Sequence, residues 1–122
     1  YDAYDLSNAV SIHPYFRVQE GKLQAFKELM DRFVVRTSTE ETCFYYDFSI
    51  CGNIVFCREA YAGAAGLLAH LENVGACIEE GLTISELIRV EVHGPSEEIA
   101  KLREPLAELG PDFYEQVTGA QF

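Results

Sequence analysis

The sequence predicts an α+β domain in which one four-stranded sheet carries two helices on a single face. Three observations make that prediction. Stretches at 9–18, 43–51, 54–61 and 87–93 alternate apolar and polar residues with the period of a strand. Stretches at 22–36 and 64–80 repeat apolar residues at helical spacing. The order is therefore strand, helix, strand, strand, helix, strand. The chain has 122 residues, 48% of them hydrophobic, which is enough to bury a core in one domain.

Residues 1–8 hold two Tyr-Asp units, Tyr1-Asp2 and Tyr4-Asp5, and read as a polar N-terminal arm. In 9–18, Val10, Ile12, Phe16 and Val18 share one face, and Ser11, His13, Tyr15 and Arg17 share the other. Pro14 falls on the apolar parity with no N–H to donate, which predicts a bulge or an edge there. Gly21 ends the strand. The helix over 22–36 turns Leu23, Phe26, Leu29, Met30, Phe33 and Val34 inward, with Lys22, Lys27, Glu28, Asp31 and Arg32 facing out. Residues 37–42 form a polar loop.

Gly52-Asn53 is a tight-hairpin signal between the next two strands. A two-residue loop sets Asp47 opposite Arg58, an opposite-charge cross-strand pair, whereas a longer loop would set Asp47 against Cys57. Phe44, Tyr46, Phe48 and Ile50 then share a face with Val55, Cys57, Glu59 and Tyr61. The helix over 64–80 buries Leu67, Leu71, Val74 and Ile78, with Leu68 beside them, and Gly81 stops it. In 87–93, Ile88, Val90 and Val92 point inward, and Gly94-Pro95 ends the strand. A third helix starts at Pro95 or Ser96 and runs to Leu109, with Ile99, Leu102, Leu106 and Leu109 apolar; Pro105 kinks or divides it. Residues 110–122 read as a C-terminal arm holding Phe113, Tyr114 and Phe122. The chain thus divides into an arm at 1–8, a domain at 9–94, and a helix with an arm at 95–122.

A βαββαβ order is the split βαβ of the ferredoxin-like fold. Right-handed crossovers put both main helices on one sheet face. The other face then calls for cover, which predicts a homodimer whose sheets meet.

Composition excludes several roles. The net charge is −11, from 20 acidic and 9 basic residues, and repels nucleic acid and anionic lipid. No apolar run is long enough for a membrane-spanning helix. GxxxxGK[ST], GxGxxG and GxSxG are all absent, which removes the nucleotide-binding and serine-hydrolase motifs. Cys43, Cys51, Cys57 and Cys77 form no CxxC pair and argue against zinc. Each lies in a regular element, so buried free thiols in a reducing compartment, the cytoplasm or an organelle interior, are expected. The first residue is Tyr1 rather than methionine, which reads as processing or trimming.

Glu59 is the one carboxylate on the apolar parity of its strand. A buried carboxylate needs a partner or a raised pKa. His70 lies about sixty degrees from Leu67 around its helix, on the edge of the buried stripe. Tyr46, Glu59, Tyr61 and His70 can therefore line one cavity, with Glu59 and His70 as a proton relay and the tyrosines orienting a phenolic ligand. The alternative is structural: Glu59 binds backbone at the start of the next helix, His70 is a core histidine, and the tyrosines are core residues with one polar end. Cys57 as a nucleophile would need His70 as its base. On the polar sheet face, His13 and His93 share parity on neighbouring strands. They can bind a metal or an anion, or belong to an interface laced with ion pairs by Arg17, Asp47, Arg58, Arg89 and Glu91.

Phe56-Cys57-Arg58-Glu59-Ala60-Tyr61, followed by Ala65 and Ala69-His70-Leu71, resembles the antibiotic biosynthesis monooxygenase (ABM) domain family. So do Gly21-Lys22 with Phe26 and the run Thr42-Cys43-Phe44-Tyr45-Tyr46. The resemblance spans roughly 9–92. It implies a dimeric α+β barrel of ferredoxin-like subunits and a cofactor-independent monooxygenase acting on a phenolic or quinol-like small molecule. His70 and Glu59 would be its catalytic residues, with neither metal nor cofactor. Tyr46, Phe48, Cys57, Tyr61 and Asn73 complete the candidate substrate site. The sequence departs from the haem-degrading branch: it has no tryptophan, and Glu79 and Glu80 stand where that branch uses a second histidine. The missing tryptophan also weakens oxygenase branches that carry one where Tyr61 stands. The competing expectation is a non-catalytic subunit or ligand-binding protein within a larger assembly, which the arms and the acidic charge suit. Cavity volume separates the two: an enclosed cavity reaching both Glu59 and His70 supports the oxygenase, whereas a pocket plugged by Tyr46, Phe48 and Tyr61, too small for a ring, supports the non-catalytic role.

Overall fold

The computed structural model describes residues 6–120. It is an α+β, ferredoxin-like fold. In chain order come β1 (Ala9–Val18), α1 (Leu23–Thr37), β2 (Cys43–Cys51), β3 (Ile54–Ala62), α2 (Gly63–Asn73), α3 (Gly75–Gly81), β4 (Ser85–Gly94), α4 (Ser96–Leu102), a 3-10 turn (Ala107–Leu109) and β5 (Asp112–Glu115). The sheet order is β2-β3-β1-β4-β5, with only the last pair parallel.

The hairpin follows from its loop residues. Gly52 takes a positive φ of 62°, which lets two residues close β2 onto β3. Asp47 then pairs with Arg58, and their side chains meet at 3.1 Å. The core lies entirely on the helix face. Val10 and Ile12 of β1 pack with Tyr61, Val90 and Val92 beneath Leu67, Ile99 and Leu102. Phe16, Phe26 and Val55 fill one end, and Leu29, Phe33 and Val74 fill the side under α1 and α3. The opposite face carries ring contacts: His13 edge-on to His93 at 4.8 Å, His93 stacked on Tyr114 at 4.5 Å, and Tyr15 tilted against Phe56 at 4.8 Å.

Several expectations change. The helix expected over 64–80 is two helices, α2 and α3, breaking at Val74. The Arg36 guanidinium of α1 captures the Asn73 carbonyl through two hydrogen bonds, at 2.9 and 3.1 Å, and takes it out of the helical ladder. α3 does end at Gly81 as expected, but with ordinary rather than left-handed backbone, and a Cβ there would sit 3.3 Å from Leu29 Cδ2. Val34 is 45% exposed rather than buried. Ile88 also points out, because the β1–β4 register shifts between Tyr15 and Phe16, and Leu87 takes the inward place. That bulge lies one residue beyond Pro14, on a central strand rather than an edge. Ile50 and Leu109 are partly exposed, and Cys51 is exposed rather than buried.

Pro105 divides the third helix as its missing N–H demands. The segment expected as a C-terminal arm contributes β5, which adds Phe113 beside Val92. The first Tyr-Asp units and Phe122 lie outside the described residues. No described helix is long and apolar enough to cross a membrane.

Candidate active site

β3 presents Cys57, Glu59 and Tyr61 on the helix face at strand spacing, and all three are buried. Tyr61 Oη donates to Glu59 Oε1 at 2.6 Å. From α2, His70 places Nε2 at 3.3 Å from the same oxygen. Its ring lies against Tyr61 at 4.7 Å and Tyr46 at 5.1 Å. His70 is 2% exposed and Glu59 3%, so both sit in a low-dielectric interior.

The far side of the imidazole meets a residue that the sequence did not single out. Glu40, in the loop between α1 and β2, accepts a hydrogen bond from His70 Nδ1 at 2.9 Å and another from Asn73 Nδ2 at 2.8 Å. Asn73 also donates to the Arg36 carbonyl at 2.9 Å. The kink at Val74 and the placement of Glu40 thus depend on the same α1–α2 clasp.

Burial pushes the Glu59 carboxyl up to about 7; the Tyr61 and Cys57 donors oppose the rise, and the Glu40 charge adds to it. Burial holds the His70 pKa below its ordinary value, against the pull of Glu40. Near neutral pH the imidazole is therefore uncharged, with one ring nitrogen to donate and one to accept between Glu40 at 2.9 Å and Glu59 at 3.3 Å, and burial holds the proton on Glu59 to a higher pH than on a solvated carboxyl. Burial, reinforced by Glu59, also raises Cys57 and Tyr61 far above their ordinary values, and burial raises Tyr46 with help from Cys57 and Glu59. These groups stay protonated and serve as donors, so Cys57 is not a thiolate nucleophile.

A cavity of about 50 Å³ opens beside Glu59 and His70. Tyr46, Phe48 and Cys57 line it with them, and Leu71, Ile78 and Leu109 contribute to its apolar walls. No lysine or arginine lines it. The volume is roughly a third of the ~150 Å³ apolar cavity that admits benzene. Leu109, on the 3-10 turn, is 37% exposed and so stands at the mouth. A ring enters only if side chains such as this one move aside.

Of the residues singled out from sequence, His70, Glu59, Tyr46, Phe48 and Cys57 meet at this cavity. Tyr61 is fully buried behind the wall and acts through Glu59. Asn73 is outside the lining and holds Glu40. Glu40 sits in a loop with no periodicity to mark it; the only hint was an acid within one helical turn of the α1 end. Burial lowers the His13 pKa on the outer face, His93 adds to that, and Glu91 opposes it. Among the described residues no group of three or more His, Cys, Asp or Glu is placed to hold a metal ion.

No protein-family model matches the chain, and no curated protein sequence matches it. Solved structures do. MupZ from Pseudomonas fluorescens is 41% identical, with a TM-score of 0.91 over 94% of this chain and 95% of its own. A protein from Bacteroides thetaiotaomicron, described as a possible oxidoreductase, is 18% identical, with a TM-score of 0.64 over 70% of this chain and 96% of its own. A candidate antibiotic biosynthesis monooxygenase from Chloroflexus aurantiacus is 16% identical, with a TM-score of 0.60 over 71% of this chain and 92% of its own. The last two share the fold. They span nearly all of their own length and about 70% of this chain, whereas the match to MupZ extends over most of both.

Proposed function

The chain belongs to the family of MupZ, and from that premise we propose that it is a small acid–base enzyme of ABM type. In this reading Glu59 and His70 move a proton at an oxygen atom of a mainly apolar small molecule. One observation carries it: a carboxyl raised to about 7 faces an apolar cavity 3.3 Å from a neutral imidazole. A group poised there gives and takes protons near neutral pH.

In the oxygenase form, which the fold-level neighbours suggest, the substrate is a phenol or quinol. The Glu59–His70 pair takes its hydroxyl proton, and the resulting anion passes an electron to dioxygen. Superoxide and the organic radical combine into a peroxide, whose breakdown leaves one oxygen atom on the product and one in water. The substrate supplies the reducing power, so no cofactor enters the scheme. The homodimer expected from the open sheet face belongs to this proposal.

The lining favours a second form. Two carboxylates flank His70 and no cation lines the cavity, so an anionic substrate gains little stabilisation there. Protonated Glu59 instead donates to a neutral substrate oxygen, with no oxygen consumed.

Oxygen uptake with an electron-rich polycyclic quinol, measured for the parent protein and for His70→Ala, tests the proposal. The oxygenase form predicts uptake that the substitution abolishes while the fold persists. Product without uptake moves the assignment to the second form. Turnover equal in both proteins overturns the role given to His70.

A further inference from the structure

The two nitrogens of His70 look in opposite directions. Nε2 faces Glu59 and the apolar cavity, and Nδ1 faces Glu40. Glu40 in turn lines a separate surface depression of about 310 Å³, together with Thr37, Ser38, Cys43 and Tyr46. Tyr46 lines both spaces and forms part of the wall between them. Thr37, in the same wall as Glu40, is 5% exposed and its hydroxyl lies within reach of Tyr46.

We propose that Glu40, besides positioning His70, connects it to bulk water through the depression at the end of α1, so that protons exchange with the site without passing through the substrate cavity. Its use in turnover rests on the acid–base reading above. The path itself belongs to the free protein.

The outward step is balanced. Glu59 gives its proton to Nε2 as Nδ1 gives its own to Glu40, and Glu40 passes that proton to water. The inward step runs along the same bonds in reverse and restores the tautomer of His70. No other titratable group competes for Nδ1. Cys57, Glu59 and Tyr61 approach from β3 and Tyr46 from β2, and Cys43 is pushed up to about 11 by burial with help from Glu40 and Glu59. Asn73 fixes Glu40 without titrating. The apolar cavity offers no polar exit besides Glu59 and the protonated Tyr46 and Cys57.

A role confined to positioning and a role in proton exchange part company in one variant. In Glu40→Gln the amide oxygen still accepts from Nδ1 and holds the ring, but it cannot take a proton. Nitrogen NMR on histidine-labelled protein, with no substrate present, reads both properties. The parent should show the Nδ1–H tautomer. Glu40→Gln should keep that tautomer while exchange of the Nδ1 proton with water slows by about a hundredfold. Glu40→Asp should recover part of the rate, and added formate should accelerate exchange in Glu40→Ala. Equal exchange in Glu40→Gln and the parent overturns the proposal, as does an Nε2–H tautomer in the parent. A chain with the predicted exchange behaviour and no turnover would tell against the enzymatic reading alone.

Discussion

Replacing Glu59 by Gln tests the electrostatics on which the site depends. The substitution keeps the shape and the acceptor for Tyr61 Oη but removes the titration. In the folded protein the Glu59 carboxyl holds its proton up to about 7, against 4.5 when solvated. Between those values the folded state keeps a proton that the unfolded state has released, so this residue makes stability fall as pH rises. Its favourable contribution is complete below 4.5 and lost once pH passes about 7. At about 1.4 kcal/mol per pH unit, the interval amounts to about 3 kcal/mol. Burial lowers the His70 pKa and so acts in the opposite sense, with stability lost as pH falls below 6.5; because its Nε2 lies 3.3 Å from Glu59, the difference between the two proteins reports the pair rather than Glu59 alone. Urea unfolding of the parent and Glu59→Gln across this range should therefore show the parent losing about 3 kcal/mol relative to the variant. A difference that does not change with pH would refute the reasoning, because Glu59 would then titrate like a solvated carboxyl.

Three further substitutions probe the surroundings. Tyr61→Phe removes the 2.6 Å donor that favours ionised Glu59, so the midpoint of the stability profile should move above about 7; an unmoved midpoint would mean that Tyr61 does not hold the carboxylate. Gly63→Ala places a Cβ at φ +69°, 2.8 Å from Glu98 Oε1, which itself accepts from the Ala64 N–H. It should cost about 1–3 kcal/mol in urea unfolding. Leu109→Ala opens the mouth of the cavity, and should strengthen binding of a naphthalene-type fluorophore, read by fluorescence titration, with little change in stability because the side chain is 37% exposed.

The features legible in the sequence are those written in local chemistry. Gly52-Asn53 closes the hairpin in the expected register, and that register places Arg58 and Glu59 on opposite faces. The alternation of β1 and β3 and the stripe through Leu67 are likewise local. What the sequence hid was set by partners distant along the chain. Val74 breaks the helix because Arg36 captures the neighbouring carbonyl from α1. Ile88 turns outward because of a register shift against β1, which periodicity within β4 does not reveal. Phe113 and Tyr114 form a strand because β4 offers a free edge after α4 returns the chain beside it. Glu40 reads as an ordinary loop acid until the fold sets it against His70 Nδ1. The site was half legible for the same reason: Glu59 announces itself by parity, and the carboxylate on the other side of His70 does not.

Direct titration of Glu59 puts the central claim to its sharpest test. Carboxyl-carbon NMR on glutamate-labelled protein, with Glu59→Gln identifying the signal, should give a midpoint near 7, accompanied by movement of the His70 ring nitrogens over the same interval. A midpoint near the ordinary 4.5, with His70 unaffected, would contradict an acid–base pair at this cavity.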